Sequence, residues 1–396
     1  MSPSPSSERR YDLDTLRVGA FMLLILYHLG MFYVPWGWHV KSTHILPGLV
    51  PFMEVVNPWR LTLLFVISGA ATGFMAGKLP TGAMFRERSR RLLAPLAFGM
   101  AVIVAPQTWA EVVEKHGYAG SFLDFWPRYL SFDDSFGIIM PTYNHLWFVA
   151  YLWIYTAAAL ALRPLWPRIE ALLARIATPA GVIVAPALAF VLIQLTAGRA
   201  WEETHIFWAD GYAHLHYGLA FLLGLGLARQ DAAWDSFQRT RWIALGAAAV
   251  VGALGLAINL TGLDQRSLPA SLGDSVTHAI YAWCVIAALF GFARRHIRQG
   301  SPRLTMLTEA VFPFYIVHQT TIVLTGHALK GYRLPAPVEA GLILTATAAS
   351  CWAAYEIARR VRWLRLPMGL KPLPRPEREA AKLVDQVKTG EPSWPT

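Results

Sequence analysis

The chain has 396 residues, 55% hydrophobic and only 15% charged, with 26 Pro and 16 Trp. A soluble chain carries roughly a quarter charged residues. The shortfall, together with recurring apolar runs of about 20 residues, excludes an ordinary soluble domain and predicts an all-α, polytopic membrane protein. The net charge of +10 invites a nucleic-acid partner, which its distribution argues against.

Ten spans are expected in chain order, at 15–34, 58–77, 92–110, 144–162, 179–197, 212–229, 242–261, 273–293, 304–326 and 336–357. Most are flanked by Trp, Tyr, Lys or Arg, residue types that settle at the bilayer interface and contact membrane lipid. With both termini cytoplasmic, the inner segments hold 26 of the 35 Lys and Arg and the outer loops seven, leaving Arg17 and Arg60 within spans. That asymmetry predicts an even number of spans and cytoplasmic termini. The charge is then mostly topological, and no basic stripe with stacking aromatics remains for DNA or RNA.

The N-terminal MSPSPSSERRYD is polar and no small-residue cleavage site follows the first apolar run, so that run reads as a retained span. Cys284 and Cys351 both fall inside spans, which leaves them packing roles and excludes a disulfide framework or a cysteine metal site. No internal repeat of fixed period is visible. Residues 1–365 read as one transmembrane domain and 366–396 as a Pro-rich, charged cytoplasmic tail.

Polar groups inside the spans need a reason, because an ionisable side chain in hydrocarbon costs several kcal/mol. In the first span, TLRVGAFMLLILYHLGMFYV, Arg17 and His28 are eleven apart. They therefore share a helix stripe to within about 20° and stand about 16 Å apart along it. Asp14 can pair with Arg17 at i,i+3. Taken alone, Arg17 reads as a cytoplasmic-edge anchor and His28 as a satisfied interhelical histidine or a functional one. The second span, NPWRLTLLFVISGAATGFMAG, puts Arg60 near its outer end, where snorkelling is the plain reading. Its Gly69, Gly73 and Gly77 form a small-residue stripe suited to close helix packing. Then KLPTGAMFRERSRRLLAPL brings Arg86, Arg88, Arg90 and Arg91 to the cytoplasmic surface. Positive-inside topology explains some of these, and a cluster of this kind also suits the phosphates of an anionic cytosolic ligand.

The fourth span opens PTYNHLWFVAYLW, with Asn144, His145 and Trp147 at the outer interface, as belt residues or as contacts for a hydroxyl-bearing acceptor. His214 and His216 are two apart, point to different helix faces, and so are not a chelating pair. The ninth span, with FPFYIVHQTTIVLTG, places His318 at nearly the depth of His28 in a helix running the same way. Two imidazoles at one depth suit one cavity, and imidazole is the natural general base near neutral pH. Glu309, nine residues earlier, reads as a salt-bridge partner of an inner loop or as a supporting charge. HExxH, an acidic cluster, a P-loop and GxSxG are all absent, which argues against a metal or nucleotide-hydrolysing centre.

These pieces together resemble the acyltransferase-3 family of bacterial integral-membrane O-acyltransferases, up to about residue 365. The carriers are YDLDTLRVGAFMLLILYH with its R-x10-H spacing, LLFVISG, RSRRLLAPL with Arg88 and Arg91 as R-x-x-R, HLWFVAYL and FPFYIVHQ. WRLTLLFVISG and LWF look closer to the branch that succinylates periplasmic glucans. The resemblance implies residence in the bacterial inner membrane and no permanently bound cofactor. It also implies an acyl-CoA donor of acetyl or succinyl type from the cytoplasm and an extracytoplasmic glycan hydroxyl as acceptor. On matching positions, His28 is the catalytic histidine, Arg17 lies on the donor side, Arg88 and Arg91 hold the donor's phosphates, and His318 is a recurrent family histidine. Arg60, His318 and Asn144 are candidates for the oxyanion by chemistry. Some relatives carry a fused SGNH domain; here only a tail of about 30 residues follows the last expected span, so transfer is direct or needs a separate partner.

A transporter or flippase for an anionic or lipid-linked solute is the rival reading. Such proteins tend to carry intramembrane acids and inverted repeats, whereas acids are few within the expected spans, Glu309 and the boundary residue Glu356 among them.

Overall fold

The computed structural model describes residues 9–76, 79–260 and 268–373, and every regular element among them is helical. In chain order these are α1 (Tyr11–Tyr33), α2 (Val50–Ala76), α3 (Thr81–Phe98), α4 (Ala105–His116), α5 (Phe122–Leu130), α6 (Trp147–Ala161) and α7 (Trp166–Arg175). There follow α8 (Gly181–Ala200), α9 (Gly211–Leu227), α10 (Asp231–Leu260), α11 (Leu268–His296), α12 (Pro302–Leu329) and α13 (Ala336–Arg360). Each expected span falls on helix, as an apolar run must when no water is present to satisfy its backbone.

Seven of the helical stretches are long and apolar enough to cross a membrane, or eight if Asn144–Ala161 and Arg163–Arg175, bent by 66°, form one broken span. The chain is a multi-pass membrane protein, but length and apolarity do not support the full expected count of ten. The expected spans left out are α6, α9 and α12. The first two are short, at 15 and 17 residues. α12 has 28 residues but includes Glu309, His318, Gln319 and His327. These helices turn polar side chains inward: His216, His318 and Gln319 are all buried.

α1 packs on α2, α11 and α12, and α12 packs on α4 and α13. The helices carrying His28 and His318 are therefore neighbours. α2 and α9 cross with their backbones in contact. A Cβ on Gly69 would sit 2.0 Å from the Phe221 carbonyl oxygen, and one on Gly224 only 1.9 Å from that of Val66. Only glycine fits such a crossing, and it draws α9 against the stretch of α2 that follows Arg60. Gly77, the last of the expected stripe, lies outside the described residues.

A π-helical turn, Gly99–Val104, joins α3 to α4 within a single 36-residue rod, Thr81–His116. Such a turn disturbs the regular hydrogen-bond ladder and frees carbonyls. Side chains take them up: Tyr129 Oη donates to the Met100 carbonyl at 2.9 Å, Trp126 Nε1 to Ala101 at 2.8 Å and Thr320 Oγ1 to Ile103 at 2.8 Å. The rod is thereby tied to α5 and α12.

Beyond α13 the chain folds back. Met368 and Leu370 are buried, while Arg365 donates to the carbonyls of Lys371 and Arg359. Residues 366–370 of the expected tail thus pack on the bundle, 371–373 are exposed, and the remainder of it, 374–396, lies outside the described residues.

Candidate active site

A cavity of about 850 Å³ sits between α1, α2, α9 and α12, at the end of the bundle that the charge distribution assigns to the outside. Its size is that of a small-molecule site. Loop residues Trp38, His39, Tyr143, Glu203 and Trp208 line its outer part. α1 contributes one stripe, Phe21, Leu24 and His28, whose i, i+3, i+7 spacing keeps them on one face. Arg17 continues that stripe one turn beyond the cavity.

His28 and His318 meet. His28 Nδ1 lies 2.8 Å from His318 Nε2, and the two rings are parallel to within 1°. His318 Nδ1 in turn lies 2.8 Å from the carbonyl oxygen of Tyr315. Of the two, only His28 lines the cavity; His318 is 0% exposed. Beside them, His145, which also lines the cavity, stands with its ring edge-on to His318 at 5.2 Å, and its Nε2 donates to the Ile316 carbonyl at 3.0 Å. Gln319 Nε2 donates to Gln107 Oε1 at 3.3 Å, and both glutamines are buried.

The other expected cavity residues are also present. Arg60 is 6% exposed, and its guanidinium carbon stands 3.4 Å from the centroid of the Tyr27 ring. Its Nη1 donates to Asn57 Oδ1, which also accepts from Tyr27 Oη at 3.1 Å. Its Nε is buried without a partner, and no carboxylate is within ion-pair distance of it among the described residues. Asn144 holds a left-handed backbone at φ 40°, a sparsely populated conformation for a non-glycine residue that recurs at functional sites. Thr142 Oγ1 donates to its Oδ1 at 3.0 Å, while its Nδ2 is buried and has no partner among the described residues. Trp147 stacks on His205 at 4.1 Å between centroids.

The residues expected on the donor side gather elsewhere. Arg17 pairs with Asp14 at 3.0 Å, and Asp14 also takes Arg9 at 2.7 Å. Arg88 donates to Thr72 Oγ1 at 2.9 Å, and both Arg17 and Arg91 stand near enough to repel it. Among the described residues the buried Nε atoms of Arg17 and Arg88 have no hydrogen-bond partner. Arg91 lies 3.6 Å from Glu87, and Arg86 is exposed at the surface. Three of the four arginines expected to bind donor thus converge at the end of the bundle opposite the cavity loops, with Arg86 at its rim. Glu309 joins neither group: it pairs with Arg365 at 3.4 Å and accepts from Tyr355 Oη at 3.4 Å.

Some lining groups carried no signal recognised in the sequence. Glu203 accepts from Tyr217 Oη at 2.9 Å and lies 2.8 Å from His205 Nε2. Burial works to raise its pKa, but His205 and Tyr217 hold the carboxyl below its usual range. Its cue was the polar run EETH between apolar segments, which reads equally as a loop. Gln319 lies inside the quoted FPFYIVHQ, directly after His318, and only the packing against Gln107 gives it a place. Among the described residues no group of three or more His, Cys, Asp or Glu is arranged to hold a metal ion.

The family model described as "Acyltransferase domain" matches residues 10–356, nearly the whole of the described chain. A relative from Salmonella gallinarum, "Glucans biosynthesis protein C", is 24% identical over 398 residues, covering 96% of this chain and 100% of that protein. Proteins of the same name from Escherichia coli O6:K15:H31 and Escherichia coli K12 are 28% and 27% identical over 156 residues, 39% of this chain and 39% of each of theirs. No solved structure matches.

Proposed function

This chain belongs to the acyltransferase family its match defines, and we propose that it carries acyl groups across the bacterial inner membrane, from a cytoplasmic acyl-CoA to a hydroxyl of an extracytoplasmic glucan. The observation that carries this reading is His28, a histidine on a cavity wall within a helix long and apolar enough to cross a membrane, hydrogen-bonded to a second histidine sealed behind it. The names of the relatives support glucan as acceptor. So does a cavity whose lining mixes Trp38, Trp147 and Trp208 with hydrogen-bonding groups, since amphipathic aromatic faces and fixed polar atoms suit a sugar.

Arg17, Arg88 and Arg91 receive the donor's phosphates, as clustered guanidinium groups are fitted to do, and the Nε atoms of Arg17 and Arg88 have no partner among the described residues. The donor's arm follows the Arg17–Phe21–Leu24–His28 stripe of α1 to bring its thioester to the cavity. His28 takes the proton from the acceptor hydroxyl while the oxygen bonds to the thioester carbonyl carbon. Asn144 Nδ2, an oriented donor with no partner of its own, is suited to receive the oxyanion. The C–S bond then breaks, and the thiolate leaves with the proton that His28 had taken, so ester and free thiol are the products and the protein is unchanged. Of the acetyl and succinyl types, an acyl group ending in a carboxylate suits the cavity better, because Arg60 presents a buried cation that, among the described residues, has no carboxylate at ion-pair distance, Glu203 across the cavity being further off.

The test is thiol release and glucan ester formation by the purified protein in proteoliposomes supplied with acyl-CoA on one side and glucan on the other. His28→Ala should lower kcat about 100- to 10,000-fold, the usual contribution of a positioned base. Wild-type turnover by a normally folded variant would remove His28 from the chemistry.

A further inference from the structure

We propose that His318 is a positioning residue: anchored on the carbonyl of Tyr315, it dictates which ring nitrogen of His28 carries the hydrogen and leaves His28 Nε2 as the lone pair offered to the acceptor. The proposal rests on the reading of His28 as general base and goes beyond it by assigning the atom and the group that selects it. A carbonyl oxygen can only accept, so His318 Nδ1, 2.8 Å from Tyr315 O, must bear a hydrogen. A neutral imidazole has one N–H, and His318 Nε2 is therefore an acceptor. His28 Nδ1, 2.8 Å away, must supply the hydrogen of that bond, and His28 Nε2 is left with its lone pair. The parallel rings, within 1°, suit an N–H aimed at the facing lone pair. His145 does not compete for His318, because its Nε2–H is already given to the Ile316 carbonyl at 3.0 Å.

The arrangement does the work that a buried carboxylate does in hydrolytic triads, where it holds a histidine in one tautomer. Within a membrane a carboxylate would be a charge in a medium of low dielectric, at considerable cost. A second imidazole orients the first without that charge. Once His28 Nε2 has taken the acceptor's proton, the bond from His28 Nδ1–H to His318 becomes charge-assisted and stronger. His318 thus stabilises the state that follows proton transfer more than the resting one, which is what lowers a barrier. When the proton passes to the leaving thiolate, both rings return to their starting tautomers.

Nitrogen NMR of [15N]histidine-labelled protein in detergent micelles reads the tautomers directly, with His28→Ala and His318→Gln difference spectra identifying the two rings. Both His28 and His318 are expected as Nδ1–H tautomers; an Nε2–H His28 in the wild-type protein overturns the proposal. In turnover, His318→Leu should lower kcat about 100- to 10,000-fold with the KM for acyl-CoA within about threefold. His318→Gln keeps an oxygen able to accept from His28 Nδ1–H and should restore kcat at least about tenfold over the leucine variant. Equal loss in both variants would make His318 an acid or base in its own right and overturn the positioning role. Should the leucine variant fail to accumulate, the wild-type spectrum and the glutamine variant decide the matter. Full activity in His28→Ala would instead refute the general base, while the wild-type spectrum would still report whether Tyr315 sets the tautomers.

Discussion

Arg60→Gln isolates the charge of the cavity. The native side chain is 6% exposed, lies over the Tyr27 ring and has a buried Nε with nothing to bond. Glutamine keeps an amide near Asn57 but removes the cation, so the face over Tyr27 loses a cation–π contact of about 0.5–2 kcal/mol. A substrate carboxylate resting on Arg60 would lose a charged hydrogen bond of about 1.5–3 kcal/mol, which is roughly a 10- to 150-fold loss in kcat/KM. An acetyl group has no carboxylate to lose, so its transfer should change by less than about threefold. The assay is thiol release with succinyl-CoA and acetyl-CoA in parallel on the same glucan acceptor, with a melting curve to show that the variant is folded. Arg60→Lys, which keeps the charge but loses the planar fork, should fall between the two. An equal drop with both donors would place Arg60 at the reacting carbonyl or in the fold. No drop with succinyl-CoA would refute the argument that the unpaired cation serves the acyl group.

Three further outcomes are expected. Arg88→Ala should raise the KM for acyl-CoA about tenfold or more, through lost charge-assisted phosphate contacts, but leave the KM for the matching acyl-pantetheine nearly unchanged; equal shifts for both would make Arg88 a structural residue. Gly224→Ala places a methyl 1.9 Å from the Val66 carbonyl oxygen and should cost about 1–3 kcal/mol, seen as a lower melting temperature in detergent, while an unchanged melt would mean that α2 and α9 are not in backbone contact. Glu203 has a folded pKa below its unfolded one, so its contribution to stability is present above the unfolded carboxyl pKa and is lost as pH falls through the folded value. Thermal melts between pH 6 and pH 3 should therefore show a shallower acid loss in Glu203→Gln than in the native protein, and identical slopes would mean that His205 and Tyr217 do not hold the carboxylate in solution.

Much of the architecture could be read along the chain, because apolar runs of helical length have one way to satisfy their backbones in lipid. The same logic explains why three of the expected spans do not register by length and apolarity. α9 and α12, and the turn Asn144–Leu146 that leads into α6, direct His216, His318, Gln319 and His145 into the protein, so their composition reports a polar interior and not the lipid around them. The Gly69–Gly73 stripe was legible as a close-packing face, but its partner on α9, Gly224, lies in the apolar run 212–229, where nothing in the sequence marks it out.

For the site, the eleven-residue interval between Arg17 and His28 carried the main message, since the 100° turn of a helix converts spacing into a shared face without any knowledge of neighbours. Depth along a span is likewise set by counting residues, and it put His28 and His318 at one level. What counting cannot supply is which helices touch. The contact of α1 with α12 turned two histidines at equal depth into a pair 2.8 Å apart, with one ring on the cavity wall and the other sealed behind it. The unpartnered donors of Arg60 and Asn144 belong to the same class of fact, because a polar atom is known to lack a partner only when everything around it has been placed. Sequence alone determined the membrane, the helices and the stripe, which follow from local periodicity and solvent. Tertiary structure decided the partner of each polar group, because hydrogen bonds between distant segments depend on packing that no local pattern encodes.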